Sequence, residues 1–152
     1  MSDVSGDDRE VRATCPFCRI VDGLDAAEVV LDTDEAVGFL DRRPVFPGHV
    51  LVVPRRHIVT LPDLAADDVG DLFQRVQLVS AAVPAALSAD GTFVAVNNVV
   101  SQSVAHLHVH VVPRRRKDGL RGFFWPRQRY SDDAEMADVA DRIRAEVRRR
   151  SA

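Results

Sequence analysis

One stretch of the sequence decides the fold, His106-Leu107-His108-Val109-His110-Val111-Val112. Side chains alternate between the two faces of a β-strand, so this pattern predicts a strand over Ala105–Val112 with the three imidazoles on one face. Leu107, Val109 and Val111 then point into a core on the other face. Each buried imidazole costs desolvation free energy unless it gains a partner, so a row of three indicates a binding or catalytic site.

The remaining strands and helices follow from hydrophobic periodicity and turn residues. Short apolar runs between turn residues predict four more strands, at Glu28–Leu31, Ala36–Leu40, His49–Val53 and Thr92–Val96. Helical spacing of apolar residues predicts a long helix from Val69 to Leu87, which Pro84 should bend or shorten. A C-terminal helix follows, which Asp132 and Glu135 would cap. The whole pattern predicts an α+β fold with a mainly antiparallel five-stranded sheet.

The composition is that of a folded protein with a modest acidic excess. The chain has 152 residues, 46% of them hydrophobic, and a net charge of −3. This length suits one domain, which we place at residues 14–152 after a flexible tail of residues 1–13. The charge argues against a nucleic-acid partner, because phosphate backbones need clustered Lys and Arg. No apolar run is long enough for a membrane span, and the acidic start lacks a secretion signal, so we expect a cytoplasmic protein.

One segment, residues 114–129, is rich in basic side chains. They are Arg114, Arg115, Arg116, Lys117, Arg121, Arg127 and Arg129. A solvated loop is the usual explanation of such a run, and a contact for an anionic substrate is the functional one. The sequence leaves both interpretations open.

Two cysteines form the pattern Cys15-Pro16-Phe17-Cys18. In a reducing cytoplasm this spacing indicates a metal-binding or redox pair rather than a structural disulfide. The spacing also lets two thiolates bind one tetrahedral metal ion. A free pair of buried thiols is the remaining interpretation.

The histidine row is compatible with more than one chemistry. A neutral imidazole is a nucleophile and an acid or base near neutral pH, and three imidazoles can also hold a catalytic zinc ion. Amide and hydroxyl side chains precede the row, at Asn97, Asn98, Ser101, Gln102 and Ser103. Such groups can donate hydrogen bonds to the non-bridging oxygens of a phosphoryl centre. An ordinary polar turn has the same composition.

Together these motifs resemble the histidine-triad (HIT) superfamily of nucleotide hydrolases and transferases, in its bacterial type with an N-terminal cysteine pair. The resemblance rests on the row from Gln102 to Val112, on Pro113-Arg114 after it, and on Pro47-Gly48-His49-Val50-Leu51-Val52-Val53-Pro54 upstream. It implies a HIT-like fold. It also implies cleavage of an α-phosphate linkage in an adenosine or other purine nucleotide conjugate, such as a phosphoramidate or a dinucleoside polyphosphate.

The resemblance implies a role for each polar residue of the site. His108 would attack the α-phosphorus and form a nucleotidyl-histidine intermediate, which water or another acceptor would then cleave. His110 would bind a phosphate oxygen, with His49 beside it, and His106 would complete the triad. The residues that would hold the phosphate, the leaving group or the ribose are Gln102, Ser103, Asn97 and Asn98.

A nucleoside pocket and a metal site are implied in the same way. Phe17, Ile20 and Phe39 would enclose the base and Asp41 would accept hydrogen bonds from the ribose, although core packing and a turn role explain these residues equally simply. Superfamily members that carry the cysteine pair bind a structural zinc ion. The matching ligands in this chain are Cys15, Cys18, His57 and His106. Such a site would add folding free energy without performing hydrolysis.

The segments beside the row carry two further expectations. Family members usually have glycines between the Asn and the Gln, whereas Asn98-Val99-Val100-Ser101-Gln102 has none, which alters the phosphate loop. Related proteins use the segment after the triad near a dimer partner, so we expect Trp125 at a homodimer interface, with a local aromatic plug as the alternative. A regulator that binds purine nucleotides with little turnover is the alternative function.

Overall fold

The computed structural model describes residues 6–120 and 128–151, which form two compact units that divide between Asp118 and Gly119. The strands of the first unit are β1 (Val29–Asp32), β2 (Ala36–Leu40), β3 (Val50–Pro54), β4 (Gly91–Ala95) and β5 (Val109–Arg114). Its α-helices are α1 (Gly6–Thr14), α2 (Pro16–Val21) and α3 (Ala66–Leu87). The second unit contains α4 (Asp133–Ser151). The predicted α+β class is confirmed.

The five strands form one sheet in the order β1-β2-β3-β5-β4, and every neighbouring pair is antiparallel. His110 on β5 lies opposite Leu51 of β3 on one side and Ala95 of β4 on the other. The strand that carries the end of the histidine row is therefore held by hydrogen bonds along both edges. This interior position fixes the row against the rest of the sheet.

The two faces of the sheet bury different side chains because residues alternate along each strand. One face packs against α3, and its core joins Val50, Val52, Leu72, Val76, Val79, Val83, Leu107, Val109 and Val111. The other face packs against α2 through Phe17, Cys18, Phe39, Leu51 and Val53. Each such apolar side chain stabilises the fold by about 1.5–3 kcal/mol when fully buried. The histidines alternate with Leu107 and Val109, so they lie on the α2 side of the sheet.

The start of β5 departs furthest from the sequence-based expectation, and α3 begins at Ala66 rather than Val69. β5 starts at Val109 rather than Ala105, because the preceding backbone bonds outside the sheet: the N–H of His106 donates to Val104 and that of Leu107 to the distant Ile58. Helix α3 continues past Pro84 to Leu87. Proline near the end of a helix removes little, and Ser88 in the left-handed conformation closes this helix with a bond to the Pro84 carbonyl.

Helix α1 begins at Gly6, within the segment expected to be a tail, and the flexibility of residues 1–13 stays a prediction. Arg12 ties this helix to the unit, with Nη1 donating to the Arg55 carbonyl at 3.1 Å and Nη2 binding Asp22 at 2.5 Å. These are tertiary contacts between distant residues. The helix is polar, so its periodicity carries little signal in the sequence.

Helix α4 begins with the predicted cap, in a modified form. The N–H of Glu135 donates to Asp132 Oδ1 at 2.7 Å, as expected, but the Glu135 carboxylate binds Ser131 instead of closing the box on Asp132. Among residues 6–120 and 128–151, no helix combines the length and the apolar character that crossing a bilayer requires. A single domain over residues 14–152 stays a prediction.

Candidate functional site

The histidine row brings its rings together in pairs along the sheet. The ring centroids of His108 and His110 are 5.0 Å apart, and His106 packs edge-on against His57 at 5.1 Å. His106 and His108 are buried, and His110 is partly exposed. The row therefore has a buried end beside His57 and an accessible end at His110.

The protonation of His108 is set by the backbone. Its Nδ1 lies 2.7 Å from the carbonyl oxygen of His106, and a carbonyl can only accept a hydrogen bond. Nδ1 therefore carries the proton and donates it to this bond. In the neutral ring the lone pair is then on Nε2, which is the nitrogen that can act as a nucleophile.

His49 and His110 form a second fixed pair. The N–H of Val45 donates to His49 Nδ1 at 3.2 Å, so the proton of a neutral His49 is on Nε2. That Nε2–H donates to His110 Nδ1 at 3.0 Å, which places the proton of a neutral His110 on its own Nε2. Asp41 lies close by, with Oδ2 3.8 Å from His49 Nδ1. The pair leaves His110 with one N–H that can donate to a ligand.

Burial keeps this pair uncharged. Burial, together with the neighbouring His108 and His49, lowers the pKa of His110 to about 4 against the opposing effect of Asp41. Burial also lowers the pKa of His49, again against the attraction of Asp41. Both rings are therefore neutral near pH 7, which their hydrogen bond requires.

Four side chains at the buried end of the row are arranged for a metal ion. They are Cys15, Cys18, His57 and His106, whose ligand atoms all lie within 4.8 Å of one another. His106 Nδ1 is 3.5 Å from Cys15 Sγ and 3.4 Å from Cys18 Sγ, and His57 Nδ1 is 3.3 Å from Cys18 Sγ. In a tetrahedral zinc site, bond lengths of about 2.3 Å to sulfur and 2.0–2.1 Å to nitrogen separate these atoms by about 3.5 Å.

The protonation of His106 also fits a metal ligand. Its Nε2–H donates to the carbonyl of Pro54 at 2.9 Å, so the Nδ1 lone pair faces the two sulfurs. Burial, assisted by Cys15, raises the pKa of Cys18 to about 12, so without a cation this thiol keeps its proton. The donor set and the spacing both fit zinc, which would displace these protons.

The predicted nucleoside residues lie on the same face as the row. Phe17, Ile20 and Phe39 line a depression of about 470 Å³, and Phe17 packs edge-on against His108 with the ring centroids 5.1 Å apart. Asp41 lines an adjoining depression of about 370 Å³. Phe17 and Phe39 are also buried in the core of this face, so the packing role and the pocket role coincide.

The predicted phosphate-binding residues make hydrogen bonds within their own turn and with residues 59–61. Gln102 accepts from the N–H of Val99 through Oε1 and donates to the Val59 carbonyl through Nε2. Asn98 Oδ1 accepts from the N–H of Leu61, and Asn97 Nδ2 donates to the Ser101 carbonyl. The exposed Ser103 lies in the same segment. The structure thus shows these side chains bracing the turn.

The glycine-free segment adopts a backbone that glycine normally provides. Val99 has φ of 70° and Ser101 has φ of 62°, both in the left-handed region. This conformation is a strained one for a β-branched residue such as valine. Val99 and Val100 are both largely exposed, so burial does not compensate for the strain.

The basic segment is partly occupied by contacts within the protein. Arg114 pairs with Asp118 at 2.6 Å, and Arg115 Nη2 donates to the Leu87 carbonyl at 2.6 Å. Arg121 and Arg127 lie outside the described residues. So does Trp125, and the homodimer stays a prediction.

Three groups of the site are not evident from the sequence. The carbonyl of Pro54 and the N–H of Val45 fix the tautomers of His106 and His49, but backbone groups carry no residue-type signal. Arg42 lines both depressions. Its place directly after Asp41, at the end of a strand, is the one signal that could have marked it.

Comparison with known proteins gives sequence relatives across most of the chain. The HIT domain profile matches residues 24–117. An uncharacterized HIT-like protein of Saccharolobus solfataricus is 39% identical over 120 residues, covering 77% of this chain and 86% of that protein. The asymmetrical bis(5′-nucleosyl)-tetraphosphatase of Schizosaccharomyces pombe is 34% identical over 94 residues, covering 60% and 52%. The adenosine 5′-monophosphoramidase of the same yeast is 27% identical over 137 residues, covering 89% and 99%.

Solved structures agree with this assignment. A protein from Streptococcus mutans superposes with a TM-score of 0.81 at 31% identity, covering 88% of this chain and 85% of that one. A zinc-bound histidine triad family protein from Mycobacterium smegmatis has a TM-score of 0.69 at 33% identity, covering 86% and 98%. A profile over more than half of the sequence, with relatives of this identity and coverage, shows that the chain belongs to the histidine-triad (HIT) family.

Proposed function

We propose that this protein is a nucleotide hydrolase or nucleotidyl transferase that cleaves an α-phosphate linkage of a purine nucleotide conjugate through a covalent intermediate on His108. The observation that carries the proposal is the bond from His108 Nδ1–H to the His106 carbonyl. This bond leaves Nε2 with its lone pair. The same carbonyl would stabilise the positive charge that the ring gains when Nε2 bonds to phosphorus.

The reaction would take place in two displacements. In the first, a bond forms between His108 Nε2 and the α-phosphorus, and the bond from phosphorus to the leaving group breaks. The Nε2–H of His110 would donate to a phosphate oxygen as charge develops there. In the second, water or another acceptor attacks phosphorus, the N–P bond breaks, and the electron pair returns to His108. The leaving group of the first displacement gains a proton from solvent, and the acceptor loses its proton to solvent in the second.

The surroundings of His108 support a nucleotide as the substrate. The ring of Phe17 contacts both His108 and Phe39, so the aromatic depression adjoins the reacting ring. The Asp41 carboxylate in the adjoining depression can accept hydrogen bonds from ribose hydroxyls. Relatives named as a dinucleoside tetraphosphatase and as a phosphoramidase act on linkages of this kind.

The metal site favours a structural role for zinc. Cys15, Cys18, His57 and His106 would hold the ion, which would supply a cross-link between α2 and the sheet. Within the described residues, neither of the two groups with metal-binding spacing includes His108. This argues against a catalytic zinc held by the whole histidine row. We also propose a cytoplasmic homodimer, for which light scattering at micromolar concentration is the check.

Replacement of the nucleophile tests the mechanism. We expect His108→Ala to lower kcat at least 10³-fold on adenosine 5′-phosphoramidate, because both displacements require Nε2. Circular dichroism should show an unchanged fold. Acid quenching of the wild-type enzyme during turnover should trap a nucleotidylated protein by mass spectrometry, and His108→Ala should trap none. Undiminished turnover by His108→Ala would exclude the mechanism.

A nucleotide-binding regulator with little turnover is the second candidate. The Gln102 amide oxygen accepts from Val99 and one of its two N–H groups donates to Val59, so a single N–H of this side chain remains for a phosphate. A panel of adenosine phosphoramidate, diadenosine tri- and tetraphosphate and a guanosine analogue separates the two. Micromolar binding of nucleotides with negligible turnover of every member would favour the regulator.

A further inference from the structure

We infer that Arg42 selects the purine base, favouring 6-oxopurines, guanine and hypoxanthine, over adenine. The inference rests on the proposed function, since it assigns the base for the pocket beside His108. It is carried by the position of the guanidinium group and by the bonds already made around it.

Arg42 lies where the two depressions meet. It lines the one that contains Phe17, Ile20 and Phe39, and also the one that contains Asp41. A nucleoside with its base against the aromatic side chains and its ribose at Asp41 would pass this side chain. With the faces of the base against Phe17 and Phe39, we assign the Arg42 contact to an edge of the base.

The guanidinium of Arg42 is held in place by one hydrogen bond and keeps other N–H donors for a ligand. Its Nη2 donates to the carbonyl of Ala26 at 2.9 Å, and a guanidinium has five N–H donors. The nearby Asp25 carboxylate is bound at both oxygens by Arg19, at 2.9 Å each. Within the described part of the chain, no ion pair engages Arg42 itself. Charged donors therefore remain for a ligand.

The hydrogen-bonding edges of the purines decide which base fits. Guanine and hypoxanthine present two adjacent acceptors, N7 and O6, which match the two-donor fork of an arginine. Adenine presents N7 beside an amino group, which is a donor and faces the guanidinium unfavourably. The Arg42 fork supplies only donors, so it makes two hydrogen bonds with the edge of a 6-oxopurine and one with that of adenine.

The test compares three substrates that differ only in the base. The kcat/KM values of guanosine, inosine and adenosine 5′-phosphoramidate would be measured for the wild type, Arg42→Met and Arg43→Met. We expect the wild type to prefer guanosine and inosine over adenosine by about tenfold, the scale of one bidentate contact. Arg42→Met, which removes the donors, should abolish this preference. Arg43→Met removes the same charge one residue away, outside both depressions, and should keep it.

Binding of the mononucleotides separates this inference from the proposed reaction. The affinities of GMP, IMP and AMP would be measured by calorimetry on the same three proteins. A preference for GMP and IMP that Arg42→Met removes supports the inference, even if no substrate is turned over and the proposed reaction fails. Equal affinities for the three nucleotides, inosine behaving like adenosine, an unchanged preference in Arg42→Met, or no nucleotide binding would each overturn it.

Discussion

At the scale of single residues, the chemistry of the site is set by main-chain groups. The carbonyls of His106 and Pro54 fix the protonated nitrogen of His108 and of His106, and the N–H of Val45 does so for His49. Backbone groups do not titrate, so they select the same protonated nitrogen whenever the ring is neutral. The proton positions that catalysis needs are therefore a property of the fold.

The neutral state of His110 makes stability depend on pH in a defined direction. Burial lowers its pKa to about 4 in the folded protein, whereas an unfolded histidine has a pKa of about 6.5. The unfolded state therefore takes up this proton first as the pH falls. The stabilisation is complete above pH 6.5 and is lost between about pH 6.5 and pH 4.

His110→Gln isolates this contribution, since glutamine can still accept from His49 and does not titrate. The free energy of unfolding of the wild type, relative to the variant, should fall by about 1–2 kcal/mol over that range, with partial exposure of His110 limiting the size. Urea denaturation at a series of pH values measures it. Parallel pH profiles for the two proteins would show that His110 does not titrate as described.

At the scale of single elements, the turn at residues 97–102 combines strain with tight bonding. A valine in the left-handed region costs about 1–2 kcal/mol relative to a regular conformation, and Val99 is held there by the Gln102 side chain. Glycine removes this strain but loses more entropy on folding, by about 0.5–1 kcal/mol. We expect Val99→Gly to raise the free energy of unfolding by about 0.5 kcal/mol, measured by urea denaturation.

The adjacent valine gives a matched control for that prediction. Val100 is as exposed as Val99, at 79% against 75%, but Val100 is not among the described residues with positive φ. Val100→Gly should therefore lower the free energy of unfolding, since it brings the entropy cost of glycine without relief of strain. Destabilisation of equal size by both substitutions would mean that Val99 is not strained.

Elements that are determined by residues within or next to them in the sequence could be predicted. Elements whose bounds depend on contacts with distant residues could not. β2 lies at Ala36–Leu40 as expected, because its apolar run and its turn residues are local. β5 begins later than the alternation predicts, because Ile58 takes the N–H of Leu107 before the ladder starts. α1 is missed because it is polar and is tied down by contacts of Arg12 with Arg55 and Asp22.

Within the site, residue types could be predicted from the sequence, whereas contacts with distant backbone could not. The triad and the cysteine pair are visible as spacing in the sequence, and the resemblance to the HIT superfamily adds His57 and His106 as ligands. The four could therefore be named and are found together. The bond that Gln102 makes outside its own turn could not be foreseen, because its acceptor is the backbone of the distant Val59. A local sequence motif does not indicate that a side chain bonds to backbone from another part of the chain.

At the scale of the whole molecule, the cluster of two cysteines and two histidines links distant parts of the chain. Cys15 and Cys18 lie at the start of α2, His57 follows β3, and His106 leads into β5. A metal ion held by all four would bring residues up to 91 positions apart into one cross-link. Binding to the folded state alone stabilises it, so the effect of the metal should appear in global unfolding.

Metal removal therefore has two separable consequences. We expect a chelator to lower the Tm of the wild type by at least several degrees, because a metal bound to the folded state contributes its binding free energy to stability. Cys15→Ser/Cys18→Ser should start at the lower Tm and show no response to the chelator, with less than about 0.1 zinc per chain by atomic absorption, against one in the wild type.

Below its Tm, the metal-free wild type should still turn over nucleotide substrates, because His108 acts through its own ring nitrogen. A folded metal-free protein without activity would instead assign the ion a part in the reaction.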